Sequence, residues 1–237
     1  MSAVELCLSP GGHFFLSEIG EEGCVQPESV VTRWRKAFEV SVAEGFLALA
    51  ACNEPLAPSL VFGRAFARRY LTALCQTPRE EGVAFPVVPS PVAEDWQTWL
   101  EDAPPFRGAE FFDAARAEAL WREIHEIAQR KAAADKGGVD AFLHALSPAW
   151  RSVGRVTFHL AENKKNPDRP FAFMVTYASR LSDIGRVQHL PLKRALNDYA
   201  GAKNREALLR LLDPLQRAVE KSAFVKELFE SGRIYQA

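Results

Sequence analysis

The chain has 237 residues, 48% of them hydrophobic and 25% charged, which is enough apolar surface for a core in one large domain or two small ones. No run reaches the roughly 18 apolar residues of a membrane span, and residues 1–20 lack a basic start followed by a continuous apolar stretch, so the composition points to a cytoplasmic protein without a membrane partner. The net charge of −1 conceals an asymmetry, because residues 1–150 hold 13 Lys and Arg against 21 Asp and Glu, whereas residues 151–237 hold 16 against 9.

A basic segment joined to an acidic one suggests contact with nucleic acid, or with an acidic surface that the chain's own first half also offers. The four cysteines, Cys7, Cys24, Cys52 and Cys75, show no C-x-x-C spacing and lie in or beside apolar runs. That placement fits reduced, mostly buried thiols better than disulfides or a zinc site.

In chain order, Val4–Leu8 and His13–Glu18 flank Ser9-Pro10-Gly11-Gly12 and read as a hairpin. Pro27 suits the first turn of a long helix in which Val31, Trp34, Phe38, Val42, Phe46 and Leu49 recur at helical spacing until Asn53-Glu54-Pro55. Residues 61–76 predict a second helix, with Phe62, Phe66, Tyr70 and Leu74 four apart. Six prolines between 77 and 107 then limit regular structure to a short piece around Trp96–Leu100, in a connector or wrapping loop. Residues 111–134 predict a helix with Leu120, Ile124 and Ile127 facing inward, ended by Gly137-Gly138, and a short helix covers 139–146.

The most informative stretch runs from Arg155 to Ser182. Val156, Phe158 and Leu160 alternate with Thr157 and His159, the period of a half-buried strand, while 171–177 is apolar on both faces and predicts a central strand. Between them, N-K-K-N-P-D-R supplies turn formers and puts Lys164, Lys165 and Arg169 toward water or a partner. Pro191 can start a helix with Leu192, Ala195, Leu196 and Tyr199 inward, and further helices are expected over 203–221 and 224–230. The fold class expected is α+β, helix-dominated, with one small antiparallel sheet combining the hairpins near 4–18 and 155–181. Residues 1–150 and 151–237 are the possible subdomains of one accessory domain.

Catalytic motifs are missing from the sequence. No Gly-Lys dipeptide occurs, so no phosphate loop can form, and no G-x-G-x-x-G or G-x-S-x-G is present. His125-Glu126 begins like a zinc-protease helix, but Gln129 stands where the second histidine belongs. His159 and His189 flank the basic segment and read as structural. The cations that qualify as phosphate contacts are Lys164, Lys165 and Arg169 on the hairpin tip, with Arg186, Lys193 and Arg194 near in sequence. Arg210 and Arg217 stand four residues after Glu206 and Asp213, so ion pairs within the helix account for them.

The stretches Val153-Gly154-Arg155-Val156-Thr157-Phe158-His159-Leu160-Ala161-Glu162-Asn163, Pro170–Tyr177, Gln188–Leu196 and Tyr199–Arg205 resemble bacterial Swi/Snf-type helicase-like ATPases, in the region ahead of their motor. Fainter likeness lies at Ala67-Arg68-Arg69-Tyr70-Leu71-Thr72-Ala73-Leu74-Cys75 and at Pro104–Glu110, so the resemblance extends over nearly the whole chain. It implies a large DNA-dependent ATPase whose ATP and Mg sites belong to two lobes absent from this sequence, and it transfers no catalytic residue. In that family the chain runs on past the position of Tyr235, so a fragment or a gene split from its motor is the expectation. The function expected is a non-catalytic module that positions the motor on DNA or docks against it, without a small-molecule substrate; the alternative is a protein–protein interaction module.

Overall fold

A tight turn closes the first hairpin, with the Gly12 N–H donating to the Ser9 carbonyl at 2.9 Å. It joins β1 (Ser2–Leu8) to β2 (Phe14–Glu18) in antiparallel register, Val4 opposite Glu18 and Leu8 opposite Phe14. A short β3 (Val25–Gln26) pairs with the other side of β1, which is therefore central, and its Val4, Leu6, Cys7 and Leu8 are all buried. The computed structural model describes residues 2–19, 24–77, 82–162 and 171–199, with 216–217, 219–223 and 226–227.

The single helix expected after Pro27 is two helices, α1 (Glu28–Val40) and α2 (Val42–Ala50). Ser41 is extended and its hydroxyl accepts from the Glu44 N–H, so a capping residue starts a new helix inside the apolar periodicity. Gly45 makes the fold-back possible, since a Cβ there would lie 2.5 Å from the Phe38 ring. α3 (Pro58–Gln76) starts on proline and buries Phe62, Phe66, Tyr70 and Leu74 as expected.

The proline-rich connector wraps the core. Phe85, Val88 and Trp96 are buried, and the regular piece, α4 (Ala93–Glu101), extends further back than Trp96. Trp96 stacks on Phe66 at 5.4 Å and meets Trp121 edge-on at 5.6 Å. α5 (Ala114–Ala134), capped by Asp113, turns Leu120, Ile124 and Ile127 inward, and α6 (Gly138–Leu146) leads through a 3-10 turn (Pro148–Ser152) to the second sheet.

That sheet comprises β4 (Val156–Glu162), β5 (Phe171–Leu181) and β6 (Val187–Pro191), in the order β4-β5-β6. The pairing is antiparallel, Val156 opposite Tyr177 and Tyr177 opposite Leu190, so β5 is central as its composition required. The α+β, helix-dominated class is thus present, but the two hairpins build two separate three-stranded sheets and not one. Each hairpin fills its central strand's free edge with a local third strand, β3 or β6, which leaves no central edge for the other hairpin. β6 escapes notice in sequence because Pro191 reads as a helix start; it is an edge strand, where proline is tolerated.

α7 (Leu192–Tyr199) follows, and Leu192 and Ala195 pack on Val175 and Tyr177 in a small core of their own. The main core runs from Val4 to Val153 and takes in Leu181, with Val187 packed against it. The helices expected over 203–221 and 224–230 lie mostly outside the described residues, and the side chains of Phe171, Phe173, Leu196 and Tyr199 are outside them too. None of the four cysteines is in a disulfide; Cys7 and Cys52 are buried, and burial, reinforced by Glu5, pushes the Cys7 thiol up to about 11. Among the described residues no helix is long and apolar enough to cross a membrane.

Candidate functional site

The second sheet is held to the helical body by backbone-directed contacts. Arg68, buried on the side of α3 opposite the aromatic stripe, donates to the carbonyls of Ala50, Cys52, Ser182 and Asp183 and to Asn53 Oδ1. Burial lowers its pKa to about 10, with neighbouring Arg64 acting in the same direction and Asp183 opposing. Gln76 Nε2 donates to the Ser179 carbonyl at 3.0 Å, and Gly154 brings its backbone against Cys75 at the end of α3. Arg64 is spent in a similar way on the Cys52 and Glu54 carbonyls.

Beside this latch lies a cavity of about 630 Å³ between α3, the segment 89–91, α4 and the end of β5. Arg69, Thr72, Asp95, Trp99, Trp121 and Arg180 are among its walls. Arg69 stands over the Trp96 ring, 5.8 Å from its centroid, within reach of a cation–π attraction. Burial lowers its pKa and Asp95 opposes that shift, and among the described residues no carboxylate lies within ion-pair distance of it. Trp121 is 2% exposed and its indole N–H lacks an acceptor. Arg180 is occupied differently, donating to Gln188 Oε1 at 2.9 Å.

On the sheet itself, His159 Nε2 and His189 Nδ1 meet the same Thr176 hydroxyl at 2.7 and 3.1 Å, their rings 5.9 Å apart. The two histidines that bracket the basic segment are thereby partners across β5. Tyr70 and His125 form an interior pair, hydroxyl to Nδ1 at 3.1 Å, which places the His125-Glu126 helix turn against the core. Among the described residues no group of three or more His, Cys, Asp or Glu is arranged to hold a metal ion.

Of the cations singled out in the sequence, Lys164, Lys165 and Arg169 lie outside the described residues. Arg186 is exposed in the β5–β6 turn, where its N–H donates to Ser182 Oγ; Lys193 and Arg194 are on α7, Arg194 exposed, with the Lys193 side chain outside the described residues. Arg186 and Arg194 flank opposite ends of β6, a strand of five residues, and at about 3.3 Å rise per residue they do not form one cluster. Arg151 and Arg155, unremarked in sequence, are exposed at the root of the same sheet. Arg68 and Arg69 went unassigned as well: on a bare helix Arg68 reads as solvent-facing, and only the Arg-Arg-Tyr segment of the resemblance marked the place. No protein-family model, no curated protein and no solved structure matches the chain.

Proposed function

We propose that the chain is a non-catalytic accessory module of a Swi/Snf-type ATPase, seated beside the motor and lending it DNA contacts through the second sheet. The observation that carries this reading is the state of Arg151, Arg155 and Arg186. All three are exposed, and among the described residues none forms an ion pair although the body they adjoin is acidic. The body's described carboxylates Glu5, Glu18, Glu28 and Glu44 pair instead with its own Arg35, Arg107 and Lys131. Exposed guanidinium groups in this state suit phosphate neutralisation without base readout.

The test is anisotropy of labelled duplex and single-stranded DNA across a salt series. Affinity falls with salt, and the variant Arg151→Ala/Arg155→Ala/Arg186→Ala lowers the log–log slope by about 3 without changing sequence preference. Absence of binding at low ionic strength rejects the DNA contact. Mixing the chain with separately produced ATPase lobes tests the docking half by complex formation. The alternative, a protein–protein interaction module without DNA contact, draws support from the groove beside Arg69.

A further inference from the structure

We infer that His159 and His189 form a two-histidine site for a divalent transition-metal ion, of the class Zn²⁺, Ni²⁺ and Cu²⁺, on the open face of the second sheet. The site uses none of the chemistry of DNA contact, so it stands or falls independently of that reading.

Strand pairing sets the two rings around one point. Val156, Phe158, Val175, Tyr177 and Leu190 pack with α7 in the small core, so by the alternation of the strands Thr157, His159, Met174, Thr176 and His189 lie on the other face. From β4, His159 Nε2 meets the Thr176 hydroxyl at 2.7 Å, and from β6, His189 Nδ1 meets it at 3.1 Å. A ring nitrogen bonds along an axis in the ring plane, so the two axes converge near Thr176 Oγ1. The hydroxyl has one proton and can donate to one ring only, whereas a metal ion accepts the lone pairs of both.

The spacing of the rings is that of two ligands on one ion. With metal–nitrogen distances of about 2.0–2.1 Å and an angle at or somewhat wider than tetrahedral, two imidazole centroids stand about 5–6 Å apart. The observed separation is 5.9 Å, with the ring planes at 83°. Thr176 already holds both rings in that pose, so little ring freedom is lost when an ion takes the place between them.

The donor set chooses the ion. Neutral imidazole suits zinc, nickel and copper, whereas calcium and magnesium require oxygen ligands. Among the described residues no carboxylate shares this face, since Glu162, the acid of β4, falls on the opposite side by alternation. Arg155, at the root of the same face, is exposed, and solvent screens its repulsion. His189 is exposed and His159 half-buried, so an ion reaches them from water, and water completes its coordination.

The experiment is a titration of the untagged full chain with Ni²⁺, followed by NMR of the ring protons of its five histidines. Nickel is paramagnetic and broadens the signals of the rings that bind it. His159 and His189 should broaden together at the lowest nickel concentrations, ahead of His13, His125 and His144. Diamagnetic Zn²⁺ should restore both signals, and excess Mg²⁺ should not. His159→Gln and His189→Gln should each weaken binding by more than about tenfold, since losing a ligand costs more than losing an outer-shell partner. His189→Gln, at an exposed position, should do so at an unchanged melting temperature. Broadening that merely follows exposure across all five rings, affinity at one ring that survives loss of the other, or displacement by Mg²⁺ overturns the proposal.

Discussion

Arg68 Nη1 donates to the Ser182 carbonyl at 2.7 Å, across 114 residues of chain, and this one guanidinium ties α3 to the β5–β6 turn. It does so without a carboxylate in hydrogen-bond contact, using carbonyl and amide oxygens instead. Arg68→Ala leaves several buried carbonyls unpaired and is expected to destabilise the chain by about 3 kcal/mol. Arg68→Lys should recover only part, because three donors on one nitrogen cannot span those acceptors. Urea denaturation gives the magnitude; hydrogen exchange should show β5 and β6 losing protection first, and uniform loss across the chain would disprove the latch.

The same junction depends on Gly154. Its φ is +78° and an added Cβ would lie 2.5 Å from the Cys75 carbonyl oxygen, so both backbone conformation and close approach demand glycine. Gly154→Ala should cost about 2–3 kcal/mol. A calorimetric melting temperature within a degree or so of the parent would refute this.

Acid should weaken the interior around Tyr70 and His125. Burial depresses the His125 pKa below its ordinary 6.5, so the unfolded chain takes up its proton first as pH falls. The stability contribution is complete above 6.5 and is lost as pH drops through the lower folded value. Thermal melts from pH 8 downward should show this loss, and His125→Asn should remove that share of the pH dependence. An identical pH profile in the variant would exclude His125 as its source.

Trp96 anchors the connector to the core through Phe66 and Trp121 and supports Arg69 from below. Trp96→Ala should cost about 3–5 kcal/mol and should speed proteolysis of the proline-rich segment. Trp96→Phe should keep most of the stability, because a smaller ring still packs against Phe66 and Trp121. A Trp96→Ala melting temperature equal to the parent's would refute this anchoring.

Local rules made much of the fold legible. Apolar spacing marked α3 and α5, turn residues marked both hairpins, and the doubly apolar run 171–177 marked the central strand. Where one residue competed with a periodic pattern the reading failed, as at Ser41, whose cap splits the first helix, and at Pro191, which ends a strand as well as beginning a helix.

By itself the sequence determined the class, the order of elements, the charge asymmetry and the absence of a phosphate loop, since each follows from neighbours along the chain. Tertiary structure alone decided that there are two sheets, that Arg68 is interior wiring and that Arg69 lies over the Trp96 ring at the wall of a groove. The reason is one of burial: a guanidinium's role depends on which carbonyls, rings or water surround it, and Arg68 and Arg69 meet theirs from segments far away in the chain.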